Sequence, residues 1–411
     1  MNRRELLKSA CFLGAAVSVA GCEAGNELLS PAQAQVTSSP SFERELLEPD
    51  NSDEVSAVAL QPSFGPVPYL ASDGNHHLTY EIAIANLSSA KIRIDKIEVL
   101  DDADRQRVLR TIEGQGVLRL MTLLAGGGDI NELESSQAGT LYLDAWIPTS
   151  EAVPGVLVHR ISGRNLVTNE PLTQVLGARM RVRSDIVIPV LAPPARGTGW
   201  VCAEACCGRS HHRRTPISIN GEIYLSQRYA IDFVRLVDGE LFSGDPFELE
   251  NWHVYGVELL AVAEGVVTSV MNDQREWPLG QSEITAKKYA AGNHVVVTMA
   301  NGISYVFAHL QPGSVRVRLG DTVTTGQVLG LAGNSGITGG PHLHMHVVTG
   351  SDIFQGQGIP WGFDRYTVTG YFPTIADLTP DEPSNPINRV DVPPYEVRGG
   401  YPQELRIIDF A

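Results

Sequence analysis

The chain has 411 residues, of which 43% are hydrophobic, and a formal net charge of −16 at neutral pH. This length exceeds what one ordinary core needs and indicates two or three domains. The negative charge argues against a folded surface that binds nucleic acid or anionic lipid. The 40 glycines and 25 prolines favour a mainly β protein with many turns.

Residues 1–22 read MNRRELLKSACFLGAAVSVAGC and are typical of a targeting segment. The apolar run after the basic start is too short to span a bilayer permanently but has the length of a signal peptide. Arg3 and Arg4 resemble a twin-arginine export signal, and the ending VAGC resembles a bacterial lipobox that would place a lipid on Cys22. We therefore predict an exported, lipid-anchored protein on the periplasmic face of the cell envelope. A plain secretory signal that ends in cysteine is the alternative.

Two regions of different composition follow this signal. Residues 23–53 are rich in Ser, Pro and Gln, which predicts a flexible tether. Residues 54–190 contain runs such as HLTYEIAIANLSS and TLYLDAWIP, in which apolar residues alternate with other residues. Period-two alternation predicts strands, and a small antiparallel β-sandwich accommodates them. The run RVLRTIEGQGVLRLMTLLAGGG departs from this pattern and predicts a short helix before its glycines.

Residues 191–216 are predicted to form a linker and a loop, because they begin with LAPPARGTG and later contain HHRR. Three cysteines lie in this loop at a CxxxCC spacing. We predict a local disulfide from Cys202 to either Cys206 or Cys207, which leaves one thiol over. A structural metal is the alternative, but this is not a usual zinc-finger spacing.

Residues 217–372 contain further strand-like runs, among them QRYAIDFVRL, GNHVVVTMA, GISYVFAHL and HLHMHVV, separated by Gly and Asn turns. They predict an antiparallel, β-rich second domain. The polar loop at residues 272–292 is a candidate wall of a substrate groove. Residues 373–411 are rich in proline and acidic residues and are predicted to form an extended tail on this domain.

The run GGPHLHMH places histidine at every second position. On a strand, His342, His344 and His346 would share one face. Three imidazoles together indicate metal or proton chemistry. Asp232 lies in the apolar run YAIDF, where an unpaired charge would be costly, so a cationic group should meet it.

Four motifs in this order resemble the lysostaphin-type zinc endopeptidases: AIDF, FAHL, GDTVTTGQVLGLAGNSG and PHLH. The resemblance implies a compact, antiparallel β-domain of the duplicated hybrid motif type that uses Zn²⁺ to cut peptide crosslinks of bacterial peptidoglycan. The strands before Val190, followed by HHRR and QRYAIDF, more faintly resemble a lipoprotein-like branch with an N-terminal β-sandwich. The implied partners are therefore peptidoglycan and, through the lipid anchor, a membrane, with no nucleic acid.

The resemblance also implies roles for single residues. Asp232 and His344 match the positions of zinc ligands in the family. His342 and His309 match positions that serve proton transfer and transition-state stabilisation. His346 has no assigned role in the family, and we predict a structural or surface role for it, with support of the neighbouring ligand His344 as the alternative.

One departure from the family pattern concerns the third ligand. The family spacing is HxxxD, but the residue four before Asp232 is Arg228, which cannot bind zinc. We predict that His212 supplies the third ligand, with His211 as the alternate. A solvated basic turn at HHRR is the competing interpretation.

Arg228 also supports a second function hypothesis, a catalytically inactive member of the same fold that binds cell wall or regulates other hydrolases. A third hypothesis, a lipoyl- or biotinyl-type carrier domain, is suggested by GDTVTTGQVLGL. That stretch contains no modifiable lysine, so the carrier hypothesis is set aside. The sequence identifies no protein activator.

Overall fold

The computed structural model describes Leu47 and residues 55–123, 130–208, 210–279, 281, 284, 289–378 and 388–411. The chain divides into two compact units at Ile188 and Pro189. Both consist mainly of strands paired in antiparallel fashion, so the predicted mainly β fold class is confirmed. The predicted signal (residues 1–22), its lipidation site Cys22 and the tether (residues 23–53) lie outside the described residues, apart from Leu47.

The unit before Pro189 contains ten described strands and one short helix, and its helix α1 is the one predicted before the glycine run. These elements are β1 (Val58–Pro62), β2 (Tyr69–Leu70), β3 (Asn75–Asn86), β4 (Ile92–Asp101), β5 (Val108–Glu113), α1 (Gln115–Leu120), β6 (Met121–Leu123), β7 (Glu132–Leu133), β8 (Ala138–Pro148), β9 (Val156–Asn165) and β10 (Val175–Arg181).

These strands form two five-stranded sheets. One has the order β1-β3-β8-β6 with β2 beside β3, and the other has the order β10-β9-β4-β5 with β7 beside β4. Apolar residues at alternate positions of β3, such as Leu78 and Ile82, share one buried cluster with Ile92 and Ile94 of β4. Because successive side chains of a strand point to opposite faces, this alternation buries one face of each sheet in a common core.

The unit from Pro189 onward contains the remaining strands, a second short helix and two 3₁₀ turns. The strands and helix are β11 (Val190–Leu191), β12 (Gly197–Glu204), β13 (Ile217–Ile219), β14 (Glu222–Tyr224), β15 (Ile231–Arg235), β16 (Glu258–Leu260), β17 (Gly265–Met271), β18 (Asn293–Thr298), β19 (Ile303–Leu310), β20 (Thr322–Val323), β21 (Val328–Leu331), β22 (Leu343–Thr349), β23 (Gly362–Phe363), β24 (Tyr366–Tyr371), α2 (Ile375–Leu378), β25 (Val390–Val397) and β26 (Arg406–Phe410). The 3₁₀ turns are His212–Arg214 and Leu249–Asn251. No described helix is long and apolar enough to cross a bilayer.

A ten-stranded sheet organises this unit, in the order β20-β17-β18-β19-β22-β15-β12-β26-β24-β25. Two of its interior strands correct the sequence analysis. β12 lies within residues 191–216, predicted as a linker and loop, and β26 lies within residues 373–411, predicted as an extended tail. The sequence does not reveal β12, because its residues from Trp200 onward are buried on both faces and lack the period-two signal of a half-buried strand.

The disulfide predicted for Cys202 is wrong. The structure joins Cys206 to Cys207 and leaves Cys202 as a buried free thiol. Cys202 lies on β12 opposite Phe233 of β15, so its side chain packs in the sheet, whereas the other two cysteines follow the end of the strand. Burial raises the pKa of the Cys202 thiol, which keeps it protonated and unreactive.

One buried histidine of the first unit, His77, lies between two carboxylates. Its Nδ1 is 3.1 Å from Oδ2 of Asp144, and its Nε2 is 3.0 Å from Oδ2 of Asp73. Burial opposes protonation, but the hydrogen bonds to Asp144 and Asp73 outweigh it and raise the pKa of His77 to about 9. Protonated His77 therefore stabilises the folded unit.

Because the pKa of His77 is raised above its unfolded value of about 6.5, its contribution is complete below that pH and is lost as the pH rises through about 9. We expect thermal unfolding of the full chain to show this loss, on the order of 3 kcal/mol between pH 6 and pH 10. His77→Gln should remove this part of the pH dependence. His76→Gln, at the neighbouring half-buried position, should keep it. An unchanged pH dependence in His77→Gln would contradict the assignment.

The disulfide assignment predicts a specific peptide. Alkylation of the denatured but unreduced chain, followed by trypsin, should yield residues 197–209 with one alkyl group on Cys202 and a bond between Cys206 and Cys207. Fragmentation by tandem mass spectrometry locates the alkyl group. Its presence on Cys206 or Cys207 would show that Cys202 is paired after all.

Candidate active site

Strand pairing brings together two candidate ligands that are 112 positions apart in the chain. Asp232 of β15 lies directly opposite His344 of β22. Side chains of directly opposed residues on neighbouring strands are close enough to interact. Accordingly, Oδ1 of Asp232 lies 2.9 Å from Nδ1 of His344.

His212 reaches the same carboxylate from the 3₁₀ turn that follows β12. Its Nε2 lies 3.3 Å from Oδ2 of Asp232, and its side chain is buried. Ligand-type atoms of His212, Asp232 and His344 all lie within 4.8 Å of one another. The structure thus brings together the three predicted metal ligands, and their role as ligands stays a prediction.

The donor set and its spacing fit a zinc ion. Zinc binds His nitrogen and Asp oxygen at about 2.0–2.2 Å in tetrahedral geometry, which separates neighbouring ligand atoms by about 3.3 Å. Around Asp232, Oδ1 is 2.9 Å from Nδ1 of His344, and Oδ2 is 3.3 Å from Nε2 of His212. Three protein ligands of this kind leave a fourth position, as in catalytic zinc sites.

The alternate ligand His211 lies beside His212 but faces a different carboxylate. Its Nδ1 is 3.2 Å from Oε1 of Glu204, at the end of β12. The two carboxylates belong to neighbouring strands, because Glu204 is opposite Asp232. The geometry therefore favours His212 over His211 as the group that meets Asp232.

Arg228, at the usual family position of a ligand, has a structural contact. Its side chain is buried, and Nη1 donates a hydrogen bond to the carbonyl oxygen of Gly358 at 3.0 Å. The backbone N–H of Arg228 donates to Leu225. An arginine here is thus compatible with a histidine that reaches Asp232 from a different segment.

The two predicted catalytic histidines adjoin each other, and His342 also adjoins the Asp232 carboxylate. The ring centroids of His309 and His342 are 4.7 Å apart. Nε2 of His342 lies 3.4 Å from Oδ1 of Asp232, and its Nδ1–H donates to the carbonyl of Gly340 at 2.8 Å. Burial lowers the pKa of His342, but the charge of Asp232 outweighs it and raises the value above the ordinary one.

His309, at the end of β19, is held rigidly. Its Nδ1–H donates to the carbonyl of Ser335 at 2.7 Å. Burial, together with the neighbouring His342 and His344, holds the pKa of His309 well below its ordinary value.

The backbone of His309 is also unusual, because its φ of 64° lies in the left-handed region, which costs a residue with a Cβ on the order of 1 kcal/mol. Such strained backbone is concentrated at functional sites.

His346 lies deeper than the sequence analysis predicted. It is fully buried, which rules out a surface role, and its Nδ1 lies 2.9 Å from Nε2 of His344. The sequence does contain a signal for this position of His346, because a third histidine at period two must share the face of His344.

A cavity of about 200 Å³ opens onto these groups. The predicted groove wall at residues 272–292 contributes Ala290 and Ala291 to the lining, at its C-terminal end. Apolar side chains such as Trp252 and Phe354 line other parts of the cavity. Apolar walls lower the local dielectric and strengthen the electrostatic interactions inside.

Residues 253–355 match the sequence profile of peptidase family M23. The matched residues include His309, His342 and His344 but begin after His212 and Asp232. The peptidoglycan DD-endopeptidase ShyA of Vibrio cholerae serotype O1 is 40% identical over 58 residues. This match covers 14% of the chain and 13% of the relative, so the chain aligns with only a small part of that protein.

Three solved peptidase structures show lower sequence identity to this chain. The catalytic domain of lysostaphin from Staphylococcus simulans is 19% identical, with 40% of this chain and 88% of that chain covered and a TM-score of 0.21. A zinc-containing peptidase from Vibrio cholerae is 13% identical, with 71% and 82% covered and a TM-score of 0.21. The deep-sea M23 metalloprotease pseudoalterin is 14% identical, with 52% and 99% covered and a TM-score of 0.25. These TM-scores are too low to establish a shared overall fold.

Proposed function

We propose that the chain contains a domain of peptidase family M23, whose sequence profile matches residues 253–355, and that it is a zinc-dependent endopeptidase that cuts peptide crosslinks of bacterial peptidoglycan. The observation that carries the proposal is that ligand-type atoms of His212, Asp232 and His344 lie within 4.8 Å of one another. The local similarity to a peptidoglycan DD-endopeptidase supports the substrate class.

In this proposal His212, Asp232 and His344 hold the zinc ion. Neutral imidazoles donate nitrogen without adding charge, and the carboxylate neutralises part of the dication. When bound, zinc would polarise a scissile carbonyl and lower the pKa of a bound water to about 7. The protein contributes the fixed positions of the three donors and the apolar cavity walls.

His309 and His342 are placed to move the proton. In the neutral form each donates Nδ1–H to a backbone carbonyl, of Ser335 and Gly340 respectively, so each presents an unprotonated Nε2. An Nε2 fixed in this way can accept a proton from the attacking water and return it to the leaving amine. This assignment gives the two histidines the base and acid roles without a redox step.

We expect the purified full chain to bind about one zinc ion and to release new peptide ends from cell-wall sacculi. His212→Ala, Asp232→Asn and His344→Ala should each weaken zinc binding by more than about 100-fold, because loss of even an outer partner of a ligand costs about 10–100-fold. Metal content is measured by elemental mass spectrometry, affinity by chelator competition, and new ends by mass spectrometry of the digest.

His211→Ala is the matched control, because it removes the adjacent imidazole, which lies against Glu204. It should keep the zinc and the hydrolysis. If His211→Ala loses zinc while His212→Ala retains it, the ligand assignment is wrong. Wild-type protein that binds sacculi without zinc and without hydrolysis would favour the inactive cell-wall-binding or regulatory alternative.

We also propose export to the cell envelope, with a lipid on Cys22 and residues 23–53 as a tether. The support is the sequence of residues 1–22. In bacteria that express the full chain, labelled fatty acid should be incorporated and the protein should sediment with membranes. Cys22→Ser should abolish both. Unlabelled wild-type protein in the soluble fraction would instead support a plain secretory signal.

A further inference from the structure

His346 lies on β22 two positions after His344 and on the same face. It is fully buried, so water does not satisfy its ring nitrogens. Its Nε2 lies 3.2 Å from the carbonyl oxygen of Ile353, and its Nδ1 lies 2.9 Å from Nε2 of His344. The imidazole thus bridges a candidate metal ligand to the backbone.

The carbonyl fixes the direction of this chain of hydrogen bonds. A carbonyl oxygen can only accept, so Nε2 of His346 must carry the hydrogen that it donates to Ile353. In the neutral ring Nδ1 of His346 is then an acceptor. His344 must therefore donate from its own Nε2–H, and in the neutral His344 ring Nδ1 is then unprotonated towards Asp232.

This tautomer has a consequence at the centre of the site. The lone pair of His344 Nδ1 faces the Asp232 carboxylate oxygen at 2.9 Å. Two acceptors at this distance repel each other unless a cation lies against both. The same lone pair is what a zinc ligand requires.

We propose that His346 is a positioning residue that holds His344 in the Nε2–H tautomer and so presents Nδ1 to the metal. The inference rests on the proposed zinc site. Ligating histidines commonly donate their second N–H to a carboxylate, a carbonyl or water. Here the buried imidazole of His346 accepts that hydrogen bond, and the carbonyl of Ile353 in turn fixes the orientation of His346.

The test compares two replacements of His346. Glutamine can accept from His344 through its carbonyl and donate to Ile353 through its amide, whereas leucine fills space without either function. We expect His346→Leu to lower zinc affinity about 10–100-fold in chelator competition, and His346→Gln to stay within about 3-fold of wild type. Circular dichroism checks that each variant is folded.

His294→Leu is the matched control. It removes another buried imidazole of the same sheet, whose hydrogen bonds go to Gly292 and Ser269. It should bind zinc like wild type. If His346→Leu keeps wild-type affinity, or if His346→Gln is as weak as His346→Leu, the inference is overturned. Wild-type protein that binds no zinc would refute the proposed function itself, and with it this inference.

A measurement on the wild-type chain covers the case in which the leucine variant does not fold. Nitrogen-15 NMR of the zinc-loaded, histidine-labelled chain reports the tautomer of each ring. We expect the Nε2–H form at both His344 and His346. An Nδ1–H form at His344 would overturn the inference whatever the variants do.

Discussion

The buried carboxylate of Asp232 is the constraint around which the candidate site is arranged. It lies on a strand between two fully buried apolar residues, Ile231 and Phe233, and its side chain is only 14% exposed. A buried, uncompensated anion costs several kcal/mol, so the fold must place cations or donors around it. Burial by itself raises the pKa of this carboxyl group, but the neighbouring His212 and His342 hold it well below its ordinary value.

Three imidazoles of this site are oriented by hydrogen bonds on the side of the ring that faces away from its centre. The rings of His309, His342 and His344 use their far nitrogen on a backbone carbonyl, directly or through a second ring, and turn their near nitrogen to the centre. The anchors are Ser335 for His309, Gly340 for His342, and Ile353 through His346 for His344. Because carbonyls of packed segments do not rotate freely, the tautomers follow from the backbone. A divalent cation is the group that such converging lone pairs and one carboxylate would stabilise.

The sequence predicts the parts of this arrangement that depend on local pattern. Period two in HLHMH places three histidines on one face, and the apolar run around Asp232 marks a buried charge. It does not predict β12, because a strand buried on both faces lacks alternation. The sequence also does not predict which group accepts the hydrogen bond from His346, because that group is a main-chain carbonyl and every residue carries one. The pairing of Cys206 with Cys207 is hidden for a similar reason, since spacing leaves the connectivity open.

The candidate site also depends on segments outside the residues that match the family profile. His212 follows β12, and β12 is held on one side by β15 and on the other by β26 at the C-terminal end. The N–H of Leu405 donates to the carbonyl of Cys202, and the hydroxyl of Tyr401 accepts from the N–H of Cys206. These bonds fix the strand and the start of the loop that carries His212. The C-terminal segment therefore helps to position the third proposed ligand. With the conventional HxxxD spacing, that ligand would instead stand at position 228, just before the strand of Asp232.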